Sequence, residues 1–572
     1  MNNPGPSGGV MIDWLHPSLL LLLGAALLPL LPDSLRRAWL IAVPLASLAV
    51  IFSLSTGEFG RIDFLGMPLV TGRVDELSLV FAYVFGIILV IGMIFALHLK
   101  DTVQHVAALT YAASALGAVL AGDLVTLYVF WELMVLTSVW LIWRRGTNVS
   151  FASGMRYLII HALGGVLLLA GVIVYYQTTG SIAFDQIERS SVAFQLILVA
   201  FLINAAVPPL HAWLSDAYPE ATVTGAVFLS ALTTKTAVYV LMRGYAGVEL
   251  LMWLGAIMTW YGVIYAVLAN DIRRILAYHI ISQVGYMVCA VGMGTTLALN
   301  GASAHAFTHI LYKALLFMGA GAVIYMTGKS KLTELGGLYR YMPWTFLLFM
   351  VGAVSISGFP LFSGFVSKTI IIEAAAVDER GVIYLMLLTA GVGTFLSIGL
   401  KLAWFTFFHH DVGLRPKEAP ANMLFAMGLA AALCFVIGVI PGPLYAILPA
   451  PMDYDAWTLA HVLKELQLLL FTGLAFFLLL RFVGGKNKIA LDVDWVYRGG
   501  GQRLAVAVRN RISAANSAAR EQFMNALDQW ATRTKRRHGR DGKLARTWPT
   551  GSMAFWVAVL LASLLVFGIR QH

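Results

Sequence analysis

Three ionisable residues recur at helical spacing inside an apolar segment of this 572-residue chain. In NGASAHAFTHILYKALLFMGAGAV, His305, His309 and Lys313 stand at positions i, i+4 and i+8. This spacing puts all three on one face of a helix, as a polar stripe about 12 Å long. Such side chains can take up and release protons, so the pattern favours a proton wire. A metal site and simple helix-packing polarity are the alternatives, but no carboxylate or cysteine stands at ligand spacing.

Single charges also interrupt three other apolar runs, at Glu132, Lys235 and Lys401. Each such charge costs about 2.5 to 3.5 kcal/mol or more at mid-membrane and therefore needs a reason. For Glu132 we expect a proton or cation relay; the alternative is a carboxylate that pairs with a basic group on a neighbouring helix. Desolvation can make a lysine lose its proton, which an arginine will not do. Snorkelling is the alternative for both lysines, and it fits Lys401 better because that run ends soon afterwards.

Weaker candidates lie near helix ends and breaks. In NDIRRILAYHIISQVGYM the arginines could simply mark a helix start on the basic side of a membrane. His161, in RYLIIHALGG, is expected to make a helix–helix contact. The accessory candidates are His211, Asp271, Arg273, Arg274, His279 and Lys368.

The composition of the chain indicates that these residues lie in a membrane protein. Hydrophobic residues make up 59% of the chain and charged residues 12%, and the mean hydropathy is +0.80. Leucine-rich runs of about 20 residues recur along the chain and are apolar on every face, which excludes a porin-like barrel. The sequence therefore predicts an all-α, polytopic membrane protein with roughly 14 to 16 transmembrane helices.

Two spans are predicted to be discontinuous. Pro208 and Pro209 lie in NAAVPPLHAWLSDAYPEA, and Pro360 lies in ISGFPLFSGFVSKT; in both, polar residues reach membrane depth. The two proline–leucine pairs are 151 residues apart, and an intramembrane lysine follows each. This pattern indicates two similar halves. The run near 221 to 242, which holds Lys235, reads as one continuous span.

The C-terminal part of the chain is more polar than the apolar runs before it. A polar connector precedes a segment in which Leu504, Val508, Ile512 and later apolar residues recur every three or four positions. This spacing predicts an amphipathic helix of about 30 residues, too polar to span, that lies laterally on the membrane or bundle and is tied down by a terminal span. The predicted regions are N-terminal helices at 1–75, an ion-translocating core at 76–420, further core helices at 421–484, the connector and lateral helix at 485–550, and an anchoring helix at 551–572.

Several classes of function are excluded. The formal charge of +10 comes from helix ends and one C-terminal stretch, so lipid headgroups explain it better than nucleic acid. Cys289 and Cys434 are too few for an iron–sulfur cluster. We find no P-loop, dinucleotide fingerprint or nucleophile elbow, so we expect no cofactor and no self-contained catalytic site. The N-terminus lacks the basic region of a cleavable signal peptide, so we expect the first apolar run to be retained.

Five segments in fixed order carry a resemblance to a known family: FWELMVLTS, PPLHAWLSDAYPEA, LTTKTAVYVLMR, NDIRRILAYHIISQVGYM and HAFTHILYKALLFMGAGAVI. They resemble the antiporter-like subunits shared by respiratory complex I and the multisubunit Mrp-type cation/proton antiporters. Within that superfamily the chain looks most like the D subunit of Mrp antiporters, although the C-terminal extension is unusual for a D subunit.

The resemblance implies two inverted repeats, each with a discontinuous helix, and a central line of buried charges. Glu132 would be the key carboxylate and Lys235 its partner lysine. His305, His309 and Lys313 would form the central relay, and Lys401 the terminal lysine beside the second broken helix. Where many relatives have a lysine before LAY, this chain has Arg273 and Arg274, and an arginine can act only as a fixed charge.

The resulting functional hypothesis is a subunit that moves protons and Na+ or K+ in an Mrp-type antiporter of a bacterial cell membrane, together with other membrane subunits. The first alternative is a pumping subunit of a redox-driven complex, related to NADH:quinone oxidoreductase or membrane-bound hydrogenase. A bicarbonate uptake complex ranks below these. A membrane scaffold whose charges serve only assembly is a different class of explanation.

Overall fold

The computed structural model describes residues 14–189, 191–484, 491–539, 542 and 548–569. They divide into two compact units, Met1–Asp492 and Val493–His572. The elements of the first unit up to its middle are α1 (Pro17–Leu27), α2 (Asp33–Ser53), β1 (Gly57–Phe64), β2 (Met67–Val74), α3 (Glu76–Ala96), α4 (Thr102–Leu120), α5 (Leu124–Trp143), α6 (Asn148–Thr179), α7 (Val192–Asn204), α8 (Ala212–Ala217), α9 (Gly225–Ala231), α10 (Thr233–Tyr245) and α11 (Glu249–Leu268).

The first unit continues with α12 (Ile272–Met293), α13 (Thr296–Thr327), α14 (Pro343–Ile356), α15 (Ser363–Val377), α16 (Gly381–Thr394), α17 (Ala421–Val439), α18 (Gly442–Ala446), α19 (Leu459–Leu478) and α20 (Leu480–Val483). The second unit contains α21 (Gln502–His538) and α22 (Thr550–Ile569).

The helices confirm a polytopic α-helical membrane protein. In the described ranges, 13 helices are long and apolar enough to cross a membrane, and three shorter apolar helices lie at Pro17–Leu30, Val192–Asn204 and Pro343–Ile356. This agrees with the 14 to 16 spans predicted. The apolar windows of Gly225–Tyr245 and of α12 are wholly buried, so the centre of the bundle lies around these helices.

A β-hairpin is the main departure from an all-helical chain. Strands β1 and β2 pair in antiparallel register from Gly57 opposite Val74 to Phe64 opposite Met67. The connecting residues Leu65 and Gly66 both have positive φ, at 53° and 76°, as a two-residue hairpin turn requires. The region predicted to hold only helices before residue 76 thus contains this hairpin as well, and residues 1–13 lie outside the described residues.

Both proline-containing spans are broken as predicted. Helix α7 ends at Asn204 and α8 begins at Ala212, while α14 ends at Ile356 and α15 begins at Ser363. A third break was not predicted: the run that holds Lys235 divides at Leu232 into α9 and α10. The helix that begins with α16 also changes form, because it continues from Phe395 as π-helical turns that hold Lys401. Such turns are rare and often occur at functional sites.

Two halves repeat at a constant offset of 148 residues. Asp123 and Asp271 cap α5 and α12, and each forms an isolated β-bridge to a later residue, Ala183 and Lys331 respectively. Helices α6 and α13 each have 32 residues, begin after a capping threonine and end at a left-handed glycine. Since α12 is the fifth membrane crossing after α5, the two run in opposite directions, as inverted repeats require.

The two ends of the bundle carry different charges. Ion pairs such as Glu249 to Arg380 (3.6 Å) and Arg145 to Glu220 (2.6 Å) identify which loops share an end. We call the end with the Glu249 pair the acidic face; its loops hold Asp63, Asp185, Glu188, Glu249, Asp378, Glu379, Asp453 and Asp455 alongside fewer basic residues. We call the opposite end the basic face; it holds Arg36, Arg37, Lys100, Arg144, Arg145, Lys329, Lys331, Arg340, Arg415 and Lys417.

The second unit matches the predicted C-terminal elements in its own internal structure. Helix α21 has 37 residues, somewhat longer than the roughly 30 predicted, and its apolar residues Val508, Ile512 and Trp530 are exposed. Helix α22 corresponds to the predicted anchoring span. Residues 485–490 of the predicted connector, residues 540–541 and 543–547 of the basic stretch, and residues 570–572 lie outside the described residues.

The buried cap of α5 generates a first prediction. The Asp123 carboxylate accepts hydrogen bonds from Val125 N (2.9 Å), Thr126 N (2.7 Å), Thr126 Oγ1 (2.6 Å) and Val70 N (2.8 Å). Asp123→Ala leaves these donors unpaired, so we expect a loss of about 2 kcal/mol or more of unfolding free energy. Thermal unfolding in detergent measures this, with the exposed Asp63→Ala as the control; equal midpoints for the two variants would contradict the expectation.

Candidate functional site

The predicted stripe on α13 lies at the centre of the bundle. His305, His309 and Lys313 are fully buried, and the ring centroids of the two histidines are 6.1 Å apart. His305 has partners: its Nδ1 lies 3.1 Å from Ser367 Oγ and its Nε2 lies 3.5 Å from the Tyr312 hydroxyl. His305 is thereby linked to α15, the second half of a broken helix.

His309 and Lys313 are buried without such links. Among the residues that the structure describes, neither the ring nitrogens of His309 nor Lys313 Nζ find a hydrogen-bond partner. A buried polar group without a partner costs free energy, so these nitrogens need water or a passing ion to satisfy them. The stripe therefore combines two ionisable side chains that have no fixed hydrogen-bond partner among the described residues.

Lys235 is positioned by the helix break at Leu232. It lies in the first turn of α10, is fully buried, and its Nζ donates to the Ser230 carbonyl (2.5 Å) and to Thr234 Oγ1 (3.1 Å). The opposite side of the break is held by Tyr111 of α4, whose hydroxyl accepts from Thr233 N (3.0 Å). A carbonyl at the C-terminal end of α9 thus supports the ammonium group, as the negative end of a helix does.

Electrostatics join Lys235 to the stripe. His309 is within electrostatic reach of Lys235, Lys313 and His305. In the described ranges none of these four side chains forms an ion pair. Like charges repel in a medium of low dielectric constant, so the charge of each member acts on the others.

Glu132 stands apart from Lys235 in the structure. Its carboxylate lies against α6, where a Cβ built on Gly165 would overlap Oε1. Glu132 Oε1 is buried and has no hydrogen-bond partner within the described part of the chain. The expected pairing of this carboxylate with Lys235 is therefore not formed as an ion pair here; the lysine bonds to the Ser230 carbonyl instead.

Lys401 lies beside the second broken helix, and its role as a terminal lysine stays a prediction. Its π-helical segment packs against α14, and its Nζ donates to the carbonyls of Val267 and Ala269, the latter at 2.8 Å. These carbonyls belong to the C-terminal end of α11. Nearby, His279 Nε2 lies 2.6 Å from Ser397 Oγ on the same π-helical segment. His279 therefore stands between the stripe and Lys401.

The remaining accessory candidates have structural contacts. Asp271 caps α12 through Arg273 N and Arg274 N, both at 2.9 Å. The buried Arg273 guanidinium donates to the Ala221 carbonyl (2.7 Å) below the first broken helix. His161 Nδ1 donates to the Tyr157 carbonyl (2.9 Å), and its ring packs on Trp213 of α8, in agreement with a helix contact. In the described ranges no group of three His, Cys, Asp or Glu residues lies close enough to hold a metal ion.

His211 contacts a buried carboxylate, that of Asp492, which was not predicted from the sequence. Its Nε2 lies 3.1 Å from Oδ1 of the buried Asp492, whose two oxygens also accept from the hydroxyls of Tyr261 and Tyr278, the latter at 2.6 Å. Asp492 thus lies beside the first broken helix. Glu465 on α19, buried near Lys368, was also missed. In the sequence both look like charges at a helix end or in a loop.

The contacts of Asp492 generate a pH-dependent prediction. Burial alone would raise the pKa of Asp492, but the hydrogen bond and charge of His211, with the two tyrosine hydroxyls, hold that pKa below its usual range. The carboxylate therefore stabilises the fold above about pH 4, and this contribution is lost as the pH falls further. We expect Asp492→Asn to lower the unfolding free energy by about 2 kcal/mol at pH 7.

Unfolding midpoints in detergent at pH 7 and at pH 3.5 test this, with the exposed Asp453→Asn as the matched control. The deficit of Asp492→Asn should shrink at the lower pH. A deficit that is absent at pH 7, or that grows as the pH falls, would rule out the stabilising role of the ionised carboxylate.

Comparison with known proteins identifies the family. Residues 121–397 match the family model described as the transmembrane region of NADH:quinone oxidoreductase and Mrp antiporters. The D subunit of the Na+/H+ antiporter of Alkalihalophilus pseudofirmus is 32% identical over 353 residues, which cover 58% of this chain and 71% of that protein. This similarity confirms the resemblance expected from the five sequence segments.

Two solved structures share the fold. A chain of the membrane-bound sulfane sulfur reductase, an archaeal respiratory membrane complex, aligns with a TM-score of 0.71 at 23% identity, over 96% of this chain and 99% of that chain. A chain of the Mrp complex from a Dietzia species aligns with a TM-score of 0.63 at 23% identity, over 76% of this chain and 92% of that chain. This multi-pass membrane protein belongs to the NADH:quinone oxidoreductase/Mrp antiporter family.

Proposed function

We propose that this chain is a proton- and cation-translocating subunit of a multisubunit Mrp-type antiporter that exchanges protons for Na+ or K+. The observation that carries the proposal is the buried basic group of Lys235, His305, His309 and Lys313, in which the described residues form no ion pair. The similarity to the D subunit of a Na+/H+ antiporter supports the same assignment.

Electrostatic repulsion within this basic group couples proton binding at one side chain to proton release at another. Two unit charges about 6 Å apart repel by roughly 3 kcal/mol at an effective dielectric constant of about 20, which changes an equilibrium about a hundredfold. A proton that arrives at Lys235 therefore lowers the affinity of His309 and Lys313 for theirs. Protons move along the stripe because each side chain releases its proton when the neighbouring side chain binds one.

Glu132 would serve as the acidic site at the start of this line. Its carboxylate is not committed to an ion pair within the described ranges, and it faces the small Gly165 of α6. It can therefore take a proton or a cation and change the field at Lys235. Lys401 and His279 would continue the line at the other end, next to α14 and the π-helical turns.

Orientation follows from the charges of the loops. Short loops rich in lysine and arginine stay on the cytoplasmic side of a membrane. On this rule the basic face lies in the cytoplasm and the acidic face outside. The basic last turn of α21, which includes Lys535, Arg536 and Arg537, would bind lipid headgroups.

One observation favours a second candidate, a pumping subunit of a redox-driven complex. The sulfane sulfur reductase chain matches this protein over nearly its whole length, including the C-terminal extension, whereas the Mrp chain covers less of it. Affinity purification in mild detergent, followed by mass spectrometry, separates the two candidates. Small hydrophobic partners without redox centres support the antiporter, and partners with flavin, nickel or iron–sulfur centres support the redox-driven complex.

Substitutions at Lys235 test the relay. We expect Lys235→Ala to lower proton flux of the purified complex in proteoliposomes at least tenfold, because the charge that drives the stripe is lost. Lys235→Arg should assemble but transport poorly, since an arginine keeps its proton. The exposed Lys100→Ala is the control. Normal flux in Lys235→Arg, combined with failed assembly of Lys235→Ala, would instead support the scaffold explanation.

Alanine substitutions at two adjacent glycines of α6 test the role of Glu132 without removing its carboxylate. The Cβ of an alanine at Gly165 would overlap Glu132 Oε1 and must displace it, whereas an alanine at Gly164 makes ordinary contacts of 3.6 Å with Ile203. We therefore expect Gly165→Ala to lower proton flux severalfold and Gly164→Ala to leave it unchanged. Equal flux from the two variants would show that the carboxylate position is unimportant.

A further inference from the structure

Two cavities on the basic face share a wall formed by His409 and His410 and take no part in the relay described above. The first has a volume of about 360 Å³ and is also lined by Arg340 and Phe408. The second has a volume of about 400 Å³ and is also lined by Arg481. Each cavity therefore has a guanidinium group beside the shared imidazole rings.

The cavities lie where two membrane-crossing helices end. The span that begins with α16 ends at Phe408, directly before His409. The span of α19 ends at Leu478, three residues before Arg481, and the Phe482 side chain is 59% exposed. Basic side chains just beyond apolar spans lie at the depth of lipid headgroups. The cavities are therefore within reach of a lipid phosphate.

The charges around the cavities favour an anion. Arg340 donates to the Tyr339 hydroxyl (2.9 Å), and in the described ranges neither this arginine nor Arg481 forms an ion pair with a carboxylate. Asp411 also lines the first cavity, but its carboxylate is paired with Arg415 at 2.8 Å. A phosphate group would therefore meet two guanidinium groups that the described acidic residues leave unpaired.

The two histidines add hydrogen-bonding groups at the wall that the cavities share. Their ring centroids are 4.4 Å apart. Partial burial and the neighbouring His410 lower the pKa of His409, so the His409 ring is neutral at pH 7 and offers one N–H donor. A phosphate diester accepts hydrogen bonds from imidazole and guanidinium groups alike, whereas a choline headgroup adds a cation that the arginines repel.

Aromatic rings form one wall of the first cavity. The Phe408 ring stacks on Tyr339, with 5.5 Å between centroids, and on Trp404, with 5.7 Å between centroids. Such rings are typical of the membrane–water interface, where an amphipathic side chain contacts both acyl chains and headgroups. This wall supports a lipid as the occupant rather than a free anion.

We propose that the two cavities bind the headgroup of an anionic phospholipid, and that Arg340 and Arg481 contact its phosphate. Charge complementarity selects an anionic headgroup, and the exposed apolar ends of the two spans accommodate its acyl chains. Basic pockets between transmembrane helices bind such headgroups in other membrane proteins. The inference goes beyond the proposed function, since lipid binding does not depend on what the stripe transports.

A bound headgroup would act on the segment that holds Lys401. Residues Trp404–Phe408 form the last π-helical turns of that segment, and the Phe405 ring packs on His409 with 4.7 Å between centroids. A lipid that binds the folded state alone stabilises that state by mass action. We therefore expect anionic lipid to raise the unfolding temperature of the protein.

Thermal unfolding of the purified complex in mild detergent tests the site. Phosphatidylglycerol should raise the unfolding midpoint, and phosphatidylcholine with the same acyl chains should not. In the double variant Arg340→Gln/Arg481→Gln, the phosphatidylglycerol concentration that gives half of this shift should rise about tenfold or more, because two charged contacts are lost. Lys329→Gln/Lys417→Gln is the matched control, since it removes two exposed charges from the same face outside the cavities.

Four outcomes decide the question. Equal phosphatidylglycerol shifts in the double variant and the wild type would overturn the proposal. Equal shifts from phosphatidylglycerol and phosphatidylcholine would also overturn it, because the headgroup charge would then not be recognised. A shift of the same size from inorganic phosphate at equal concentration would show a free-anion site instead of a lipid site. Should the double variant not assemble, the same titration of Arg340→Gln and Arg481→Gln as single variants gives the answer.

Discussion

The structure depends on the cost of holding positive charge in an apolar interior without a fixed anion beside it. Lys235, Lys313, Lys368 and Lys401 are all buried in the bundle, and in the described ranges none of them forms a salt bridge, although Glu465 lies near Lys368. A permanent salt bridge would lower that cost but would also fix the charge in place. Sites that must change their charge gain from partners that are weaker than a carboxylate.

Helix ends provide these weaker partners. Three of the four lysines donate to backbone carbonyls where a helix stops: Lys235 to Ser230, Lys368 to Ile356, and Lys401 to Ala269. A helix carries a partial negative charge at its C-terminal end, so each stop offers a modest attraction to a cation. Broken helices are therefore useful in a membrane for two reasons: they admit polar backbone at mid-depth, and they hold a basic side chain without neutralising it.

Sequence reasoning located the parts of this arrangement that have a local signal. The prolines near 208 and 360 predicted two breaks, and the isolated charges at Glu132, Lys235 and Lys401 were visible because their surroundings are apolar. The break at Leu232 could not be predicted, since no proline or glycine marks it and Tyr111 reaches it from a distant helix. The burial of Glu465 and Asp492 could not be predicted for a similar reason. Each has polar neighbours in the sequence, and only tertiary packing shows that it is buried.

The constant offset between the two halves shows where their charge patterns differ. His309 of α13 corresponds to His161 of α6, yet the two are used differently: His161 bonds to Tyr157 and packs on Trp213, whereas His309 lies in a field of basic side chains. The neighbouring positions have diverged further, since His305 corresponds to Tyr157 and Lys313 to Gly165. The buried basic stripe therefore belongs to the second half alone, and the two halves share a fold but not a charge pattern along their 32-residue helices.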